Sequence, residues 1–224
     1  MNNHVINFPS ALEDPSSELE QHDAHVAAIS DELAQHDAHV AAILADTEFD
    51  SQPSDIQWHI RRRCGIGGSD VGAVLGVNPY KTPHEIWLEK TGRQLPEDLS
   101  GKDAVLAGNL LEDAVAQFYS IRTGHKVRRS NMTRFHPSMP WLAGNVDRVV
   151  EGQKRILECK TAGHFAKGWG ESGTDEVPES YLLQVTHYMA VWGYQTADLA
   201  VLTGGQNLGI YKFDFDQERR NKQS

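Results

Sequence analysis

Apolar residues recur at helical spacing in four segments of this 224-residue chain, and residues typical of helix ends flank each segment. Residues 82–85, with the sequence Thr-Pro-His-Glu, have the form of a capping box with proline at the first helical position. The predicted helices begin at Ser69 or Asp70, at Thr82, at Gly101 and at Pro178, and the last three end near Gly92, Thr123 and Trp192.

The third of these segments is the longest, and its pattern predicts how the helix lies. Leu106, Leu110, Val115 and Phe118 follow helical spacing, so we expect them to face inward. Gly124 comes directly after the last periodic residue, and glycine is the preferred residue at a left-handed helix end. We therefore expect Gly124 to be the C-cap.

Short apolar runs after this helix have the length and composition of β-strands. The predicted strands are residues 126–129, 141–150, 154–160, 196–202 and 208–215. A turn around residues 151–153 would join the second and third strands as a hairpin. Because helices, a strand group, a helix and further strands follow one another, we predict an α/β fold with a mixed central sheet flanked by helices.

The first 55 residues differ in composition from the rest of the chain and contain an internal repeat. Residues 21–29 recur unchanged as residues 35–43, a period of fourteen that predicts a short amphipathic helix. His22 and His25 would share a helix face in the first copy, which suits either a transition-metal pair or two solvated histidines. Residues 51–55 have linker composition. We therefore predict an acidic, partly helical arm at 1–55, a globular domain at 56–216 and a polar tail at 217–224.

Charge is divided unevenly along the chain, whose formal net charge is -10. Twelve of the 31 acidic residues lie in residues 1–55, where there is no lysine or arginine, so 19 acidic residues face 21 basic ones in the remainder. Basic residues cluster locally at 61–63 and 126–129. A body of this kind can bind phosphates, although solvated basic faces are the alternative.

Other features of the sequence point to a cytoplasmic protein. No apolar stretch approaches the roughly 20 residues that span a bilayer, and residues 1–4 lack the character of a signal peptide. Cys64 and Cys159 belong to no metal-binding spacing, and we expect reduced thiols. Membrane partners are therefore not expected.

Candidate chemistry is concentrated on the predicted hairpin. Asp147 lies on one strand of the hairpin. Glu158 and Lys160 lie two residues apart on the other strand, so the side chains of Glu158 and Lys160 point to the same face of the sheet. Glu112 in the long helix could add a third carboxylate. Oxygen ligands without nearby histidine favour Mg²⁺, with Mn²⁺ as a substitute, and a lysine beside them suits phosphodiester hydrolysis. The alternatives are a surface acid at Glu112, a turn residue at Asp147 and a strand-edge lysine at Lys160.

An ordered set of motifs resembles the YqaJ-like viral recombinases, the family of the lambda-type exonuclease. The motifs are residues 58–70, 75–83, 108–112, 141–147, 157–160 and 181–189. The resemblance implies a PD-(D/E)XK restriction-endonuclease-like fold. It also implies a magnesium-dependent exonuclease that digests one strand of linear double-stranded DNA from 5' to 3' in phage-type homologous recombination.

The resemblance also implies roles for individual residues. Glu112, Asp147 and Glu158 would bind the metal together with the backbone carbonyl of Cys159, and Lys160 would serve the attacking water. Arg62 and Ser69 would meet a DNA phosphate near the 5' end, which agrees with the anion-binding character of a guanidinium and a hydroxyl at a helix start. Gln184 would approach the site from the last helix and would bind DNA together with Arg62 and Ser69.

Partners and alternatives follow from the same resemblance. The expected partners are double-stranded DNA ends, a single-strand annealing protein and further copies of the chain in a trimer, inside a bacterial or phage-infected cell. Pro137 stands where the lambda-type enzyme has a further acidic residue, so the sequence supports one metal. Two other functions remain open: an endonuclease or nickase on the same fold, and a non-catalytic module that binds DNA or a partner.

Overall fold

A computed structural model describes residues 54–99 and 101–215 of the chain, together with scattered positions between 20 and 51. The chain divides into two units, Met1–Phe49 and Asp50–Ser224, and every element named below belongs to the second. The histidine pairs of the arm and the polar tail lie outside the described residues. No helix in the described part of the chain is both long and apolar enough to cross a bilayer.

Five helices and seven strands form the second unit within the described residues. The helices are α1 (Ser54–Arg63), α2 (Gly68–Val74), α3 (Pro83–Lys90), α4 (Asp103–Thr123) and α5 (Glu179–Trp192). The strands are β1 (Val127–Arg129), β2 (Arg134–His136), β3 (Met139–Gly144), β4 (Arg148–Val150), β5 (Arg155–Ala162), β6 (Thr196–Thr203) and β7 (Asn207–Asp214).

The central sheet has five strands in the order β1-β4-β5-β6-β7. Only β5 and β6 pair in parallel, because α5 connects them, and the other neighbours are antiparallel. Helix α5 packs Val185 and Met189 onto one face of the sheet. Helix α4 packs Val115 and Tyr119 onto the other. The predicted mixed sheet flanked by helices is therefore confirmed.

Local signals in the sequence identified several helix ends correctly. Thr82 caps α3, since its hydroxyl accepts a hydrogen bond from the backbone N–H of Glu85 and the Glu85 carboxylate accepts one from the backbone N–H of Thr82. Gly124 is the C-cap of α4, with φ at +73°. Helix α2 differs, because its N-cap is Gly67, whose N–H donates to the Asp70 carboxylate at 2.9 Å. The prediction of Ser69 or Asp70 as the N-cap was wrong by two or three residues.

The prediction for the inward face of α4 was partly wrong. Val115 is fully buried, as expected, but Leu106, Leu110 and Phe118 are exposed. The sheet lies under the C-terminal half of the helix, where Val115, Ala116 and Tyr119 form the buried face. The apolar pattern does not show which side of α4 faces the sheet, because the helix carries leucines and aromatic residues on more than one side.

Three boundaries also differ from the sequence prediction. The expected linker at 51–55 overlaps α1, which begins at Ser54. The expected strand at 141–150 is divided between β3 and β4, and Asp147 lies just before β4 rather than within a strand. The short strand β2, which pairs with β3 in a separate two-stranded sheet, was not predicted because its sequence, Arg-Phe-His, contains no apolar run.

Candidate active site

Glu158 lies in the middle of β5 and is buried, with 2% of its surface exposed. Its Oε1 atom accepts two hydrogen bonds, from Lys160 Nζ at 2.7 Å and from Gln184 Nε2 at 2.8 Å. Lys160 reaches Glu158 because alternate residues of a strand point to one face. Helix α5 brings Gln184 to the same carboxylate. The structure thus brings together three residues that the sequence placed on two separate elements.

The second oxygen of Glu158 has a different environment. Within the described ranges, Oε2 is the single buried side-chain nitrogen or oxygen atom without a hydrogen-bond partner. An unpaired buried carboxylate oxygen is costly, and a cation is the partner that would satisfy it. Burial, followed by the negative charge of Asp147, raises the pKa of Glu158 to about 8. Both observations fit a carboxylate that belongs with a metal ion.

Asp147 is held beside Glu158 by the pairing of β4 with β5. The backbone N–H of Cys159 donates to Asp147 Oδ2 at 2.8 Å. Burial raises the pKa of Asp147, opposed by the charge of Lys160. The pKa of Lys160 is also raised, because the charges of Glu158 and Asp147 outweigh the effect of burial. The hairpin therefore presents two carboxylates and one ammonium group to the same space.

Glu112 reaches the site from α4 and is partly exposed, at 28% of its side chain. Its Oε1 accepts a hydrogen bond from Arg148 Nη1 at 2.6 Å. Arg148 is the residue after Asp147 and also bonds Asp113, the neighbour of Glu112. Glu112 is thus tied to the strand that follows Asp147, and its other oxygen has no hydrogen bond to a described residue.

All eight residues that the sequence nominated line one cleft of about 620 Å³. They are Arg62, Ser69, Glu112, Asp147, Glu158, Cys159, Lys160 and Gln184. As the side chains stand, no group of three or more His, Cys, Asp or Glu residues in the described part of the chain is close enough to hold a metal ion. The donor set nevertheless fits a hard divalent cation, because Glu112, Asp147 and Glu158 offer carboxylate oxygens.

Arg62 and Ser69 also line the cleft and contact each other. Arg62 Nη2 donates to Ser69 Oγ at 2.9 Å across the turn between α1 and α2. Lys90 stabilises this turn from α3, because its Nζ lies 2.6 Å from Asp70 Oδ2 and 2.9 Å from the Arg62 carbonyl oxygen. A Cβ atom at Gly68 would overlap the ring of Tyr188, so glycine allows α2 to approach α5 closely.

Sequence reasoning missed several residues that support the site. Arg148, Lys90 and Asp70 anchor the residues that were predicted, and Tyr188 accepts a hydrogen bond from Gln184 Nε2 at 3.1 Å. A charged residue beside a predicted ligand, as in the pair Asp147-Arg148, was the available signal for Arg148. Lys90 and Asp70 pair across 20 residues of sequence, so no local pattern joins them. Tyr188 follows Gln184 by four residues on α5, and this helical spacing was the signal available for it.

Comparison with solved structures identifies the fold. The structure is similar to the crystal structure of an alkaline exonuclease from Laribacter hongkongensis, with a TM-score of 0.53 and 16% identity over 74% of this chain and 85% of that chain. The same enzyme in complex with dAMP matches with a TM-score of 0.50 and 17% identity, over 73% and 83% of the two chains. The fold is that of the lambda-exonuclease-like PD-(D/E)XK nucleases.

Sequence comparison identifies the family within this class. The model of the YqaJ-like viral recombinase domain matches residues 57–195, and the chain belongs to that family. The chain is also 46% identical over 171 residues to a protein of Bacillus subtilis (strain 168) described as uncharacterized protein YqaJ. This match covers 75% of the chain and 52% of the relative, so the chain spans about half the length of that relative.

Proposed function

We propose that this chain is a metal-dependent exonuclease that hydrolyses phosphodiester bonds of linear double-stranded DNA, from 5' to 3'. The observation that carries the proposal is the unpaired buried oxygen of Glu158, which lies beside Asp147 and Lys160 in the same cleft as Arg62. Membership of the YqaJ-like family supports a nuclease that acts on DNA. The hard oxygen donors favour Mg²⁺, with Mn²⁺ as a substitute.

Each residue of the cleft has a role in this proposal. Glu112, Asp147 and Glu158 would hold the cation, with the carbonyl of Cys159 as a further donor. When bound, the cation would polarise the scissile phosphate and lower the pKa of a water molecule. The Lys160 ammonium, held by Glu158, would orient the attacking water and offset negative charge that develops on the phosphate. Gln184 keeps the Glu158 carboxylate in place.

Arg62 and Ser69 would bind the 5'-terminal phosphate. A guanidinium and a hydroxyl within hydrogen-bond distance of each other can donate to one phosphate group. If that phosphate is the terminal one, the next phosphodiester lies toward the carboxylates, and digestion starts from a 5' end. The proposed polarity rests on this arrangement and on the family resemblance.

The proposal includes partners and a setting. We expect the protein to act on double-stranded DNA ends in phage-type recombination, with a single-strand annealing protein and as a homotrimer, inside a bacterial or phage-infected cell. Light scattering in solution tests the trimer. The nuclease proposal itself does not depend on that result, because all eight site residues come from one chain.

Nuclease assays on four substrates test the proposed reaction. Linear duplexes with 5'-phosphate or 5'-hydroxyl ends, a closed circular duplex and a linear single strand would be incubated with wild-type protein and Asp147→Ala, with Mg²⁺ or with EDTA. We expect metal-dependent digestion of linear duplex by the wild type alone, faster with a 5'-phosphate. Cleavage of the closed circle would favour an endonuclease or nickase. If both proteins show the same low level of cleavage with Mg²⁺ and with EDTA, the nuclease function is excluded. The chain would then be a module that binds DNA or a partner without cutting.

A further inference from the structure

Arg148 is a buried arginine at the start of β4, with 5% of its side chain exposed. It pairs with Leu157 of β5 on one side and with Arg129 of β1 on the other, so its backbone lies inside the central sheet. Buried arginines are rare and costly unless their donors are bonded. The contacts of this guanidinium therefore need an explanation.

The guanidinium joins the sheet to one turn of α4 and also bonds the residue before Arg148. Arg148 Nη1 donates to Glu112 Oε1 at 2.6 Å and to the backbone oxygen of Asp147 at 2.7 Å. Arg148 Nη2 donates to Asp113 Oδ1. The guanidinium thus contacts two consecutive acidic residues of α4 and the main chain of Asp147. One planar group therefore ties the Glu112 carboxylate to the main chain of Asp147.

We propose that Arg148 is a positioning residue that holds Glu112 as the third carboxylate of the nuclease centre. This inference rests on the proposed function. The bond to Oε1 fixes the Glu112 side chain toward the cleft and leaves Oε2 without a hydrogen bond to a described residue. Partial neutralisation by Arg148 also lets three carboxylates occupy one cleft with less mutual repulsion.

Arginine suits this task better than lysine does. Its guanidinium is planar, remains charged at any pH in the working range and presents donors in a fixed fork. A lysine at position 148 has a single charged nitrogen and cannot bond Glu112 and Asp113 in the same fork geometry. Arg129 bonds Asp113 from the surface at 2.8 Å, so Asp113 retains a partner if Arg148 is replaced.

Metal binding in the absence of DNA tests the proposal apart from catalysis. Mn²⁺ would be titrated by calorimetry into wild type, Arg148→Met, Arg148→Lys and Asp113→Asn. Loss of a residue that orients a metal ligand typically weakens metal binding by about 10- to 100-fold. We expect a loss of about 10-fold or more for Arg148→Met and a smaller loss for Arg148→Lys. Asp113→Asn removes the other carboxylate that Arg148 contacts and should change the affinity less than about threefold.

A double-mutant cycle shows whether Arg148 acts through Glu112. If it does, Arg148→Met weakens Mn²⁺ binding in the wild-type background but adds little to Glu112→Gln, because the residue that it positions is already gone. With saturating Mn²⁺ and a range of DNA concentrations, kcat should fall while KM for DNA stays within about twofold.

The outcomes separate this inference from the proposed nuclease function. Additive losses in the cycle, or wild-type affinity in Arg148→Met, would refute the positioning role while an active wild type still supports the nuclease. If wild-type protein neither binds Mn²⁺ nor cleaves DNA, both proposals fail. If Arg148→Met does not fold, the same double-mutant cycle can be made with Arg148→Lys and Glu112→Gln. Additive losses of Mn²⁺ affinity in that cycle would also refute the positioning role.

Discussion

Two buried acids in neighbouring strands, Asp198 of β6 and Glu158 of β5, should respond in opposite ways to the same kind of substitution. Both are almost fully buried, and in the parallel ladder Asp198 pairs with Leu157, the residue before Glu158. Asp198→Asn and Glu158→Gln each replace a carboxylate by an amide of nearly the same shape. We expect Asp198→Asn to lower the free energy of unfolding and to leave DNA cleavage nearly unchanged. We expect Glu158→Gln to abolish DNA cleavage and to leave the free energy of unfolding nearly unchanged.

The expected loss at Asp198 follows from its two bonded oxygens. Oδ1 accepts from Arg155 Nη1 at 2.5 Å, and Oδ2 accepts from the Tyr119 hydroxyl at 2.5 Å. An asparagine offers one acceptor, so its NH₂ group must face one of the two donors. Breaking a buried ion pair costs about 3 to 5 kcal/mol, and we expect about 3 kcal/mol because 23% of the Arg155 side chain is exposed. For a unit of this size, that corresponds to roughly 6 to 12 °C in Tm.

The expected change at Glu158 is much smaller. Gln at position 158 keeps an oxygen that accepts from Lys160 and Gln184, and its NH₂ replaces the oxygen that has no partner. Lys160 retains the attraction of Asp147. Removing a buried, half-satisfied charge offsets the loss of the ion pair, so we expect a change of about 1 kcal/mol or less in metal-free protein.

Urea denaturation in EDTA, followed by tryptophan fluorescence, measures both free energies of unfolding. Cleavage of 5'-phosphorylated linear duplex with Mg²⁺, well below the Tm of each variant, measures activity. Asp198→Asn should retain activity within about threefold, while Glu158→Gln should lose it. A loss of stability in Glu158→Gln as large as that in Asp198→Asn would refute the reasoning, since both acids would then serve the fold.

Three further predictions concern the cleft and the arm. Chelation with EDTA should abolish cleavage and added Mg²⁺ or Mn²⁺ should restore it; digestion that survives EDTA would contradict a metal-dependent centre. Arg62→Ala should reduce the preference for 5'-phosphate over 5'-hydroxyl ends by about 10-fold, because a charge-assisted bond contributes roughly 1.5 to 3 kcal/mol; an unchanged ratio of rates would remove Arg62 from the phosphate site. Deleting residues 1–49, which contain ten acidic residues, should tighten DNA binding at low salt and have little effect at high salt. Equal affinities in fluorescence anisotropy at low salt would show that the arm does not compete with DNA.

Local signals explain why much of the fold could be predicted. The Thr82 and Glu85 capping box and the left-handed Gly124 mark helix ends through interactions between residues close in sequence. The packing of α4 could not be predicted in the same way. Leu110 and Val115 fit an inward-facing pattern equally well, and only the position of the sheet selects Val115.

The candidate site shows the same division between local and distant information. Glu158 and Lys160 could be placed together because strand geometry puts alternate residues on one face. The neighbouring pair Asp147-Arg148 marks Arg148 as close to the site but does not show which side chains its guanidinium contacts. The position of Arg148 between β1 and β5, under α4, depends on strand register and helix packing that no local pattern encodes.

The degree of hydrogen bonding distinguishes two arginine-acid pairs that look alike in composition. Arg155 bonds Asp198, whose other oxygen is taken by Tyr119, so a cation arriving there would have to displace an existing bond. Arg148 bonds one oxygen of Glu112 and leaves the other without a described partner. The first pair is therefore complete without a ligand and can only stabilise the fold. The second still has an acceptor to offer, which is why we propose that the reaction takes place at Glu112, in the middle of α4.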